Sequence, residues 1–316
     1  MNQGHWRPES DYFLVVLPTW LLAHPEFSSN PLYLGGDSYG GFIVPIVAEE
    51  IAKSIEASHT PEFNFHGYLV GNSITSPYYD DNFKVQFAHH MALISDELYE
   101  SVKRTCEGQY QGNHDNYTPC ANDLNAISLC TENLNEQQIL EPKCKSIFSA
   151  NGKMEEINRK LLLEKPSDPK WLQPSLSFGG PPPDYPEFGC RRYENLLAYF
   201  WANDKGVQRA LHIKEGSIKT WIRCPKNLPY ETQVESVVSY HQRLNSRGYR
   251  ALVYSGDHDM TIPYIGTQAW IKSLNIPIVG QWRPWLVDDQ IAGYVTEYSN
   301  GISFVTVKAR TTFPRH

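Results

Sequence analysis

A short turn that carries a serine between glycines constrains the fold of this chain more than any other sequence feature. Residues 36–40 read Gly-Asp-Ser-Tyr-Gly and match the pattern G-x-S-x-G, with Ser38 at the centre. An apolar run at 31–34 precedes the turn and predicts a buried strand, and the apolar spacing over 42–58 predicts a helix. Small residues two places either side of the serine should let the strand and the helix pack closely. The pattern therefore predicts a strand–turn–helix unit that exposes the Ser38 hydroxyl above the edge of a sheet.

The rest of the chain alternates helices and strands. A second strand is predicted at 63–70, followed by Gly71-Asn72, so that a helix leads into a strand as in an open, mostly parallel sheet. Further helices are predicted at 193–211, 231–247 and 266–274, and strands at 250–255, 294–298 and 302–307. With the serine turn, this order predicts an α/β-hydrolase fold, with residues 1–316 forming one domain.

A polar segment at 92–190 interrupts this pattern. It contains four of the six cysteines within 39 residues and a loop at 165–187 with seven prolines, a composition that favours an exposed loop. Asn116 begins an Asn-Tyr-Thr glycosylation sequon. These features predict a helical, disulfide-bearing insertion in a protein of the secretory pathway. Six reduced cysteines and a chance sequon are the alternative.

Composition excludes several classes of function. The net charge is −7 and no stripe of Lys or Arg is present, which argues against a nucleic-acid partner. No segment is long and apolar enough to cross a membrane, and the acidic residues Glu9 and Asp11 argue against reading the apolar stretch that follows as a signal peptide. No Cys-x-x-Cys pair occurs, so we expect no zinc site, and no cofactor is predicted.

A nucleophilic serine needs stabilising and orienting partners. The backbone N–H of Tyr39 is the expected oxyanion-hole donor. In the predicted fold the orienting acid and then the base follow the serine along the chain. Asp259 follows the strand at 250–255 and is preferred to Asp257 because Gly-x-x-Asp, with the acid three positions after Gly256, is the usual placement in the predicted fold. A capping aspartate in a turn is the alternative interpretation of this pair.

The base is the weak point of the predicted triad. The only histidine after Asp259 is His316, the last residue of the sequence. His258 shares the short turn with its would-be orienting acid, and His89 and His90 precede the acid in a predicted helix. A base must be held within hydrogen-bond reach of the serine, which is difficult for a terminal residue. We therefore expect His316 to be a poor base and the chain to be impaired in catalysis.

Several ordered runs resemble plant serine carboxypeptidase-like proteins. They lie at His24–Phe27, Gly36–Gly41, Val70–Asn72, Ile94–Leu98, Tyr199–Asp204, Tyr254–Asp259 and Arg283–Asp288. The resemblance implies an α/β-hydrolase fold, a helical lid, disulfides and a secreted or vacuolar destination. It also implies the disulfides Cys106–Cys120 and Cys144–Cys190 within the lid, and leaves Cys130 and Cys224 without an assigned partner.

The resemblance implies two chemistries that share an acyl-enzyme on Ser38. Carboxypeptidases of the family usually have Glu before the nucleophile, whereas acyltransferases that use acyl-glucose donors usually have Asp. Asp37 therefore favours the acyltransferase, and Asp37 and Gly36 are expected to contact a small-molecule substrate. A carboxypeptidase acting on a peptide substrate is the alternative.

The sequence also departs from the family pattern at both ends. The 37 residues before Ser38 lack the family's glycine-rich loop, and the family's catalytic histidine would fall near Thr312, where none is present. We therefore expect the N-terminal part of the sheet to be missing. A non-catalytic truncated isoform is the third hypothesis.

Overall fold

A computed structural model describes residues 9–58, 64–112, 118–143, 198–217, 220–223 and 233–308, the first seven by their backbone alone. The helices are α1 (Glu9–Ala23), α2 (Gly40–Glu56), α3 (Pro77–His90), α4 (Asp96–Thr105), α5 (Pro119–Thr131), α6 (Lys205–Ala210), α7 (Val238–Ser246) and α8 (Tyr264–Ser273). The strands are β1 (Leu32–Asp37), β2 (Phe65–Gly71), β3 (Arg250–Gly256), β4 (Ile278–Val287), β5 (Gln290–Tyr298) and β6 (Ile302–Val307).

The strands form one mixed sheet in the order β1-β2-β3-β6-β5-β4. The first four are mutually parallel, and β5 and β4 add an antiparallel hairpin at one side. Parallel strands need helical crossovers, which α2 provides between β1 and β2. The predicted mostly parallel α/β sheet is confirmed, and the carboxyl ends of four strands meet at one edge.

Two buried clusters lie among the described elements of residues 9–139 and 233–308. The first joins the inner face of α2 to the sheet and includes Val47, Ile51, Tyr68, Val253 and Phe304. The second lies among α3, α4 and α5 and reaches Met260, in the loop that follows β3. The helices that follow β2 therefore pack directly beneath a loop that carries a predicted site residue.

The disulfide predicted between Cys106 and Cys120 is present and joins the end of α4 to the start of α5. Cys130 is exposed and has no disulfide among the described residues. The predicted pair Cys144–Cys190, the unassigned Cys224 and the sequon residue Asn116 lie outside the described residues.

The chain divides into two compact units, one of residues 1–139 with 232–316 and the other of residues 140–231. In the second unit Asp204 caps α6 by accepting from Val207 N at 2.9 Å, and the Asn203 amide bonds the backbone of Trp221. The proline-rich loop at 165–187 lies outside the described residues, and the lid bounds of 92–190 stay a prediction.

Several elements differ from the sequence-based expectation, and helix α1 (Glu9–Ala23) was not predicted at all. Strand β4 was not predicted, because most of its residues are exposed and it lacks the alternation of a half-buried strand. The helix predicted from residue 231 begins only at Val238. Val237 donates its backbone N–H to Thr75 O at 3.0 Å, and this tertiary contact holds the approach to the helix in another conformation. No described helix is long and apolar enough to cross a membrane.

Candidate active site

Ser38 lies on the sharp turn that joins β1 to α2. Its φ of +56° is in the left-handed region, which a non-glycine residue adopts only at an energetic cost. The Ser38 carbonyl accepts from Gly41 N at 2.9 Å and from Ile74 N at 3.0 Å, so the strained conformation is fixed from both sides. The side chain is exposed, as the predicted turn requires.

Close packing at this turn depends on Gly36 and Gly41. A Cβ at Gly36 would lie 2.7 Å from Val44 Cγ2 on α2. A Cβ at Gly41 would lie 2.4 Å from Ser73 Cβ and 2.6 Å from Ile74 O. Gly40, expected from the pattern to permit close approach, has no such neighbour within 4 Å. The close contact is thus made by Gly41, one place after the glycine of the pattern, with the segment that follows β2. The spacing of the pattern did not predict this contact.

The residues that follow the parallel strands are hydrogen-bonded across the edge of the sheet. Ser38 N donates to Gly71 O at 3.0 Å, and Asn72 N donates to Tyr254 O at 2.9 Å. Asp257 N in turn donates to Val307 O at 3.1 Å. This edge is where catalytic residues of open α/β sheets collect. The structure therefore brings the turn of Ser38 and the loop of Asp257 and Asp259 to the same edge.

Asp259 is buried, with 4% of its surface exposed, and three N–H groups bond its carboxylate. Oδ1 accepts from Thr261 N at 2.7 Å and Ile262 N at 3.2 Å, while Oδ2 accepts from the Asn72 amide at 2.6 Å. Burial raises the pKa of Asp259 to about 7; the three donors oppose this rise, and the nearby charge of Asp37 adds to it. Donors on both oxygens favour the ionised form that an orienting acid needs.

Asp257 is in a different environment. Its Oδ1 lies 2.5 Å from Nδ1 of the adjacent His258, and its side chain is partly exposed. His258 is therefore engaged by its neighbour on the same turn, as expected from its position. The two carboxylates of this loop therefore have different environments: Asp259 is buried, and Asp257 is paired with His258 within the turn.

Asp37 and Tyr39 flank the serine. Asp37 ends β1 half-buried, and desolvation raises its pKa to about 6. Tyr39 is the N-terminal capping residue of α2, so its backbone N–H lies at the positive end of the helix dipole. Its ring is half-exposed and stacks on Phe42 with centroids 5.8 Å apart. A half-buried carboxyl group with a raised pKa and the backbone N–H at the start of α2 therefore adjoin Ser38.

A segment after α5 braces the loop of Asp259, which the sequence analysis missed. Glu136 O accepts from Met260 N at 2.8 Å and from Thr261 N at 3.1 Å, and Ile139 N donates to His258 O at 3.1 Å. These are backbone contacts between residues more than a hundred positions apart, so no pattern of side chains in the sequence predicts them. The brace fixes the backbone on both sides of the buried carboxylate.

The predicted bases have separate outcomes. His316 and the position near Thr312 lie outside the described residues. His89 stacks on Tyr99 with centroids 4.1 Å apart and bonds Asp96 at 2.7 Å, so it packs between α3 and α4. Within the described part of the chain, no group of three or more His, Cys, Asp or Glu residues is arranged to hold a metal ion.

Comparisons with known proteins agree on one family. The profile of the serine carboxypeptidase family matches residues 7–311. "Serine carboxypeptidase-like 3" of Arabidopsis thaliana is 40% identical over 308 residues, covering 98% of this chain and 61% of the relative. "Serine carboxypeptidase-like 4" of the same plant is 42% identical over 291 residues, covering 92% and 57%. The chain thus spans about three fifths of the length of these relatives.

The fold is similar to that of a solved carboxypeptidase. The crystal structure of Kex1Δp, a prohormone-processing carboxypeptidase from Saccharomyces cerevisiae, superimposes with a TM-score of 0.59. The match covers 95% of this chain and 62% of that one at 18% identity. The likeness shows that the two chains share a fold.

Proposed function

Because this chain belongs to the serine carboxypeptidase family, we propose that Ser38 forms an acyl-enzyme and passes the acyl group from an acyl-glucose donor to a hydroxyl acceptor. One observation carries the proposal. Ser38 projects from a strained turn at the head of α2, at the sheet edge where Asp259 is held by three N–H donors. That arrangement supports a nucleophile and an orienting acid.

The steps balance as a double displacement. Ser38 Oγ attacks the ester carbonyl carbon while a base takes its proton, and the N–H of Tyr39 stabilises the developing oxyanion. The bond to the sugar oxygen then breaks, and the sugar leaves with the proton. The acceptor's hydroxyl oxygen attacks the acyl-enzyme next, and its proton returns through the base to Ser38. A carboxypeptidase would differ only in cleaving an amide bond and using water as the acceptor.

Asp37 supports the acyltransferase over the peptidase. Aspartate is one methylene shorter than the glutamate that the resemblance associates with peptidases, so a hydrogen bond to a peptide's terminal carboxylate would be stretched or lost. Its raised pKa of about 6 keeps open the peptidase alternative, because a protonated carboxyl can donate to such a carboxylate below that pH.

A matched pair of proteins separates the two activities. We expect the wild-type chain to transfer acyl groups from acyl-glucose donors and to leave C-terminal residues of peptides in place. Asp37→Glu should shift the balance towards peptide trimming, whereas Glu26→Asp, an exposed change outside this edge, should leave the balance unchanged. Peptide trimming without acyl transfer by the wild-type chain would contradict the proposal.

The general base determines how fast the acyl-enzyme forms on Ser38 in this chain. His316 is the only histidine after Asp259 in the sequence, and we propose that it is a poor base, so that the acyl-enzyme forms slowly. A non-catalytic form is the limiting case of this proposal. Strong labelling of Ser38 by a fluorophosphonate, lost in His316→Ala, would show that His316 is an effective base.

The cysteine chemistry supports a destination in the secretory pathway. A disulfide such as Cys106–Cys120 persists in oxidising compartments. We propose that the chain is secreted or vacuolar and that Asn116 carries a glycan. A loss of mass after treatment with an N-glycosidase, absent from Asn116→Gln, would test the glycosylation, and secretion of an unmodified protein would contradict it.

A further inference from the structure

Asn72 lies between the turn of Ser38 and the loop of Asp259. Neither the G-x-S-x-G pattern nor the choice of Asp259 as the acid predicts a role for it. It follows β2, the strand that lies between β1 and β3 in the sheet. It is 5% exposed, and its φ is +40°, in the left-handed region. Asparagine tolerates this conformation better than most residues, so the position already restricts the side chain.

The Asn72 side chain contacts the acid loop with both ends of its amide. Nδ2 donates to Asp259 Oδ2 at 2.6 Å, and Oδ1 accepts from Gly256 N at 3.4 Å. Rotating the amide by 180° would place its oxygen against the carboxylate and its NH₂ against an N–H donor. The surroundings therefore select one orientation, in which the amide donates to Asp259.

The hydrogen bond from Asn72 also determines which acceptor positions of the Asp259 carboxylate are occupied. A carboxylate offers about four lone-pair positions. Two backbone N–H groups of the loop bond Oδ1, and Asn72 bonds one position of Oδ2. Counting only donors in the described part of the chain, one acceptor position of Oδ2 is left, which the N–H of a base could take.

We propose that Asn72 is a positioning residue, which favours the ionised form of the Asp259 carboxylate and leaves one Oδ2 acceptor position for the base. The inference rests on the proposed function and deepens it, since it assigns a residue that acts on the orienting acid without touching substrate.

The other charged groups around Asp259 work against ionisation or are engaged elsewhere. Asp37, from the end of β1, faces it with a like charge. On its own loop Asp257 and His258 bond each other. Glu136, on the bracing segment, contributes its backbone carbonyl to Met260 and Thr261. Asn72 is therefore the side-chain donor that offsets burial and the charge of Asp37.

The test follows the titration of Asp259 in the full chain by carbon NMR of ¹³C-labelled aspartate, with the signal assigned from Asp259→Asn. Asn72→Asp keeps the shape and the tolerance of a positive φ but replaces the donor with an acceptor. We expect it to raise the midpoint of Asp259 by about one pH unit or more, because two carboxyls then share the site. Asn72→Gly keeps the backbone and removes the donor, and should raise the midpoint less.

The matched control is Asn300→Asp, an exposed asparagine that also has a positive φ but lies in the turn between β5 and β6. It should leave the Asp259 midpoint unchanged. An unchanged midpoint in Asn72→Asp would overturn the proposal, and if that variant does not fold, an unchanged midpoint in Asn72→Gly does so. The titration needs no reaction at Ser38. Peptide trimming without acyl transfer by the wild-type chain would therefore refute the proposed function while leaving the role of Asn72 to the NMR result.

Discussion

Two adjacent glycines at the start of α2 should respond in opposite ways to the same substitution. In Gly41→Ala the new methyl would lie 2.4–2.9 Å from Ser73 Cβ, Ile74 O and Ser73 Cα. Carbon contacts are most favourable at about 3.5–4.0 Å, so the helix and the segment after β2 would have to separate by about 1 Å. In Gly40→Ala the methyl would have no neighbour within 4 Å.

The magnitudes follow from overpacking and helix propensity. Forcing a methyl into a packed interior costs about 1–3 kcal/mol, and the better helix propensity of alanine returns up to about 1 kcal/mol. Because its contacts would be as short as 2.4 Å, Gly41→Ala lies at the upper end of that cost, about 2–3 kcal/mol, and should lower the free energy of unfolding by about 1–3 kcal/mol. Gly40→Ala should raise it by up to about 1 kcal/mol, since the same propensity gain comes without a clash.

Urea unfolding followed by tryptophan fluorescence measures both changes. The midpoint should move down for Gly41→Ala and up slightly or not at all for Gly40→Ala, with unchanged slopes. Equal stability of Gly41→Ala and the wild-type chain would refute the reasoning, as would equal damage from the two substitutions. Either result would mean that α2 does not approach the segment after β2 as closely as the structure shows.

Two further predictions concern elements that support the site. Burial raises the pKa of Asp80 from 3.8 to about 7, so the folded chain holds a proton that the unfolded chain has lost between those values, and stability should fall as pH rises through that window. Asp80→Asn, which can still accept from Thr75 N and Ser76 N, should remove a loss on the order of 2–4 kcal/mol between pH 4 and 7 in pH-dependent urea unfolding. The exposed change Asp288→Asn, in the turn between β4 and β5, should keep that loss. The Cys106–Cys120 disulfide closes a separation of 14 residues, so Cys106→Ser should lower the free energy of unfolding by about 3 kcal/mol in the same assay, and a comparable loss in Cys130→Ser would contradict this assignment.

The sequence predicted well those parts of the fold that are specified by residues close together in the chain. The apolar runs before and after Ser38 and the strand before Asp257 predicted β1, α2 and β3 to within a few residues. Each is a buried element whose periodicity and terminal glycines specify it. β4 is the counterexample, because its strand conformation comes from pairing with β5 and its exposed residues carry no burial pattern.

The site likewise has features that local sequence predicts and features that depend on tertiary contacts. Ser38 is recognisable because its turn needs glycines at fixed spacing, and the left-handed φ at Ser38 follows from that turn. The sequence named Asp259 as the acid but gave no sign of the contacts that hold it. Asn72 bonds the Asp259 carboxylate from 187 positions away, and Glu136 bonds the backbone of the two residues after it from more than a hundred positions away. Only the folded chain brings these residues together. The different surroundings of Asp259 and Asp257 are likewise a tertiary property.

Acylation of Ser38 by a fluorophosphonate, with and without added imidazole, tests the central claim most directly. The account predicts slow labelling of the wild-type chain that imidazole accelerates, because the added base replaces a poorly held one. Labelling should disappear in Ser38→Ala, and Asp37→Asn should keep it. Labelling of a residue other than Ser38, or none at all with imidazole present in a folded chain, would contradict the assignment of this edge of the sheet as a serine-nucleophile site.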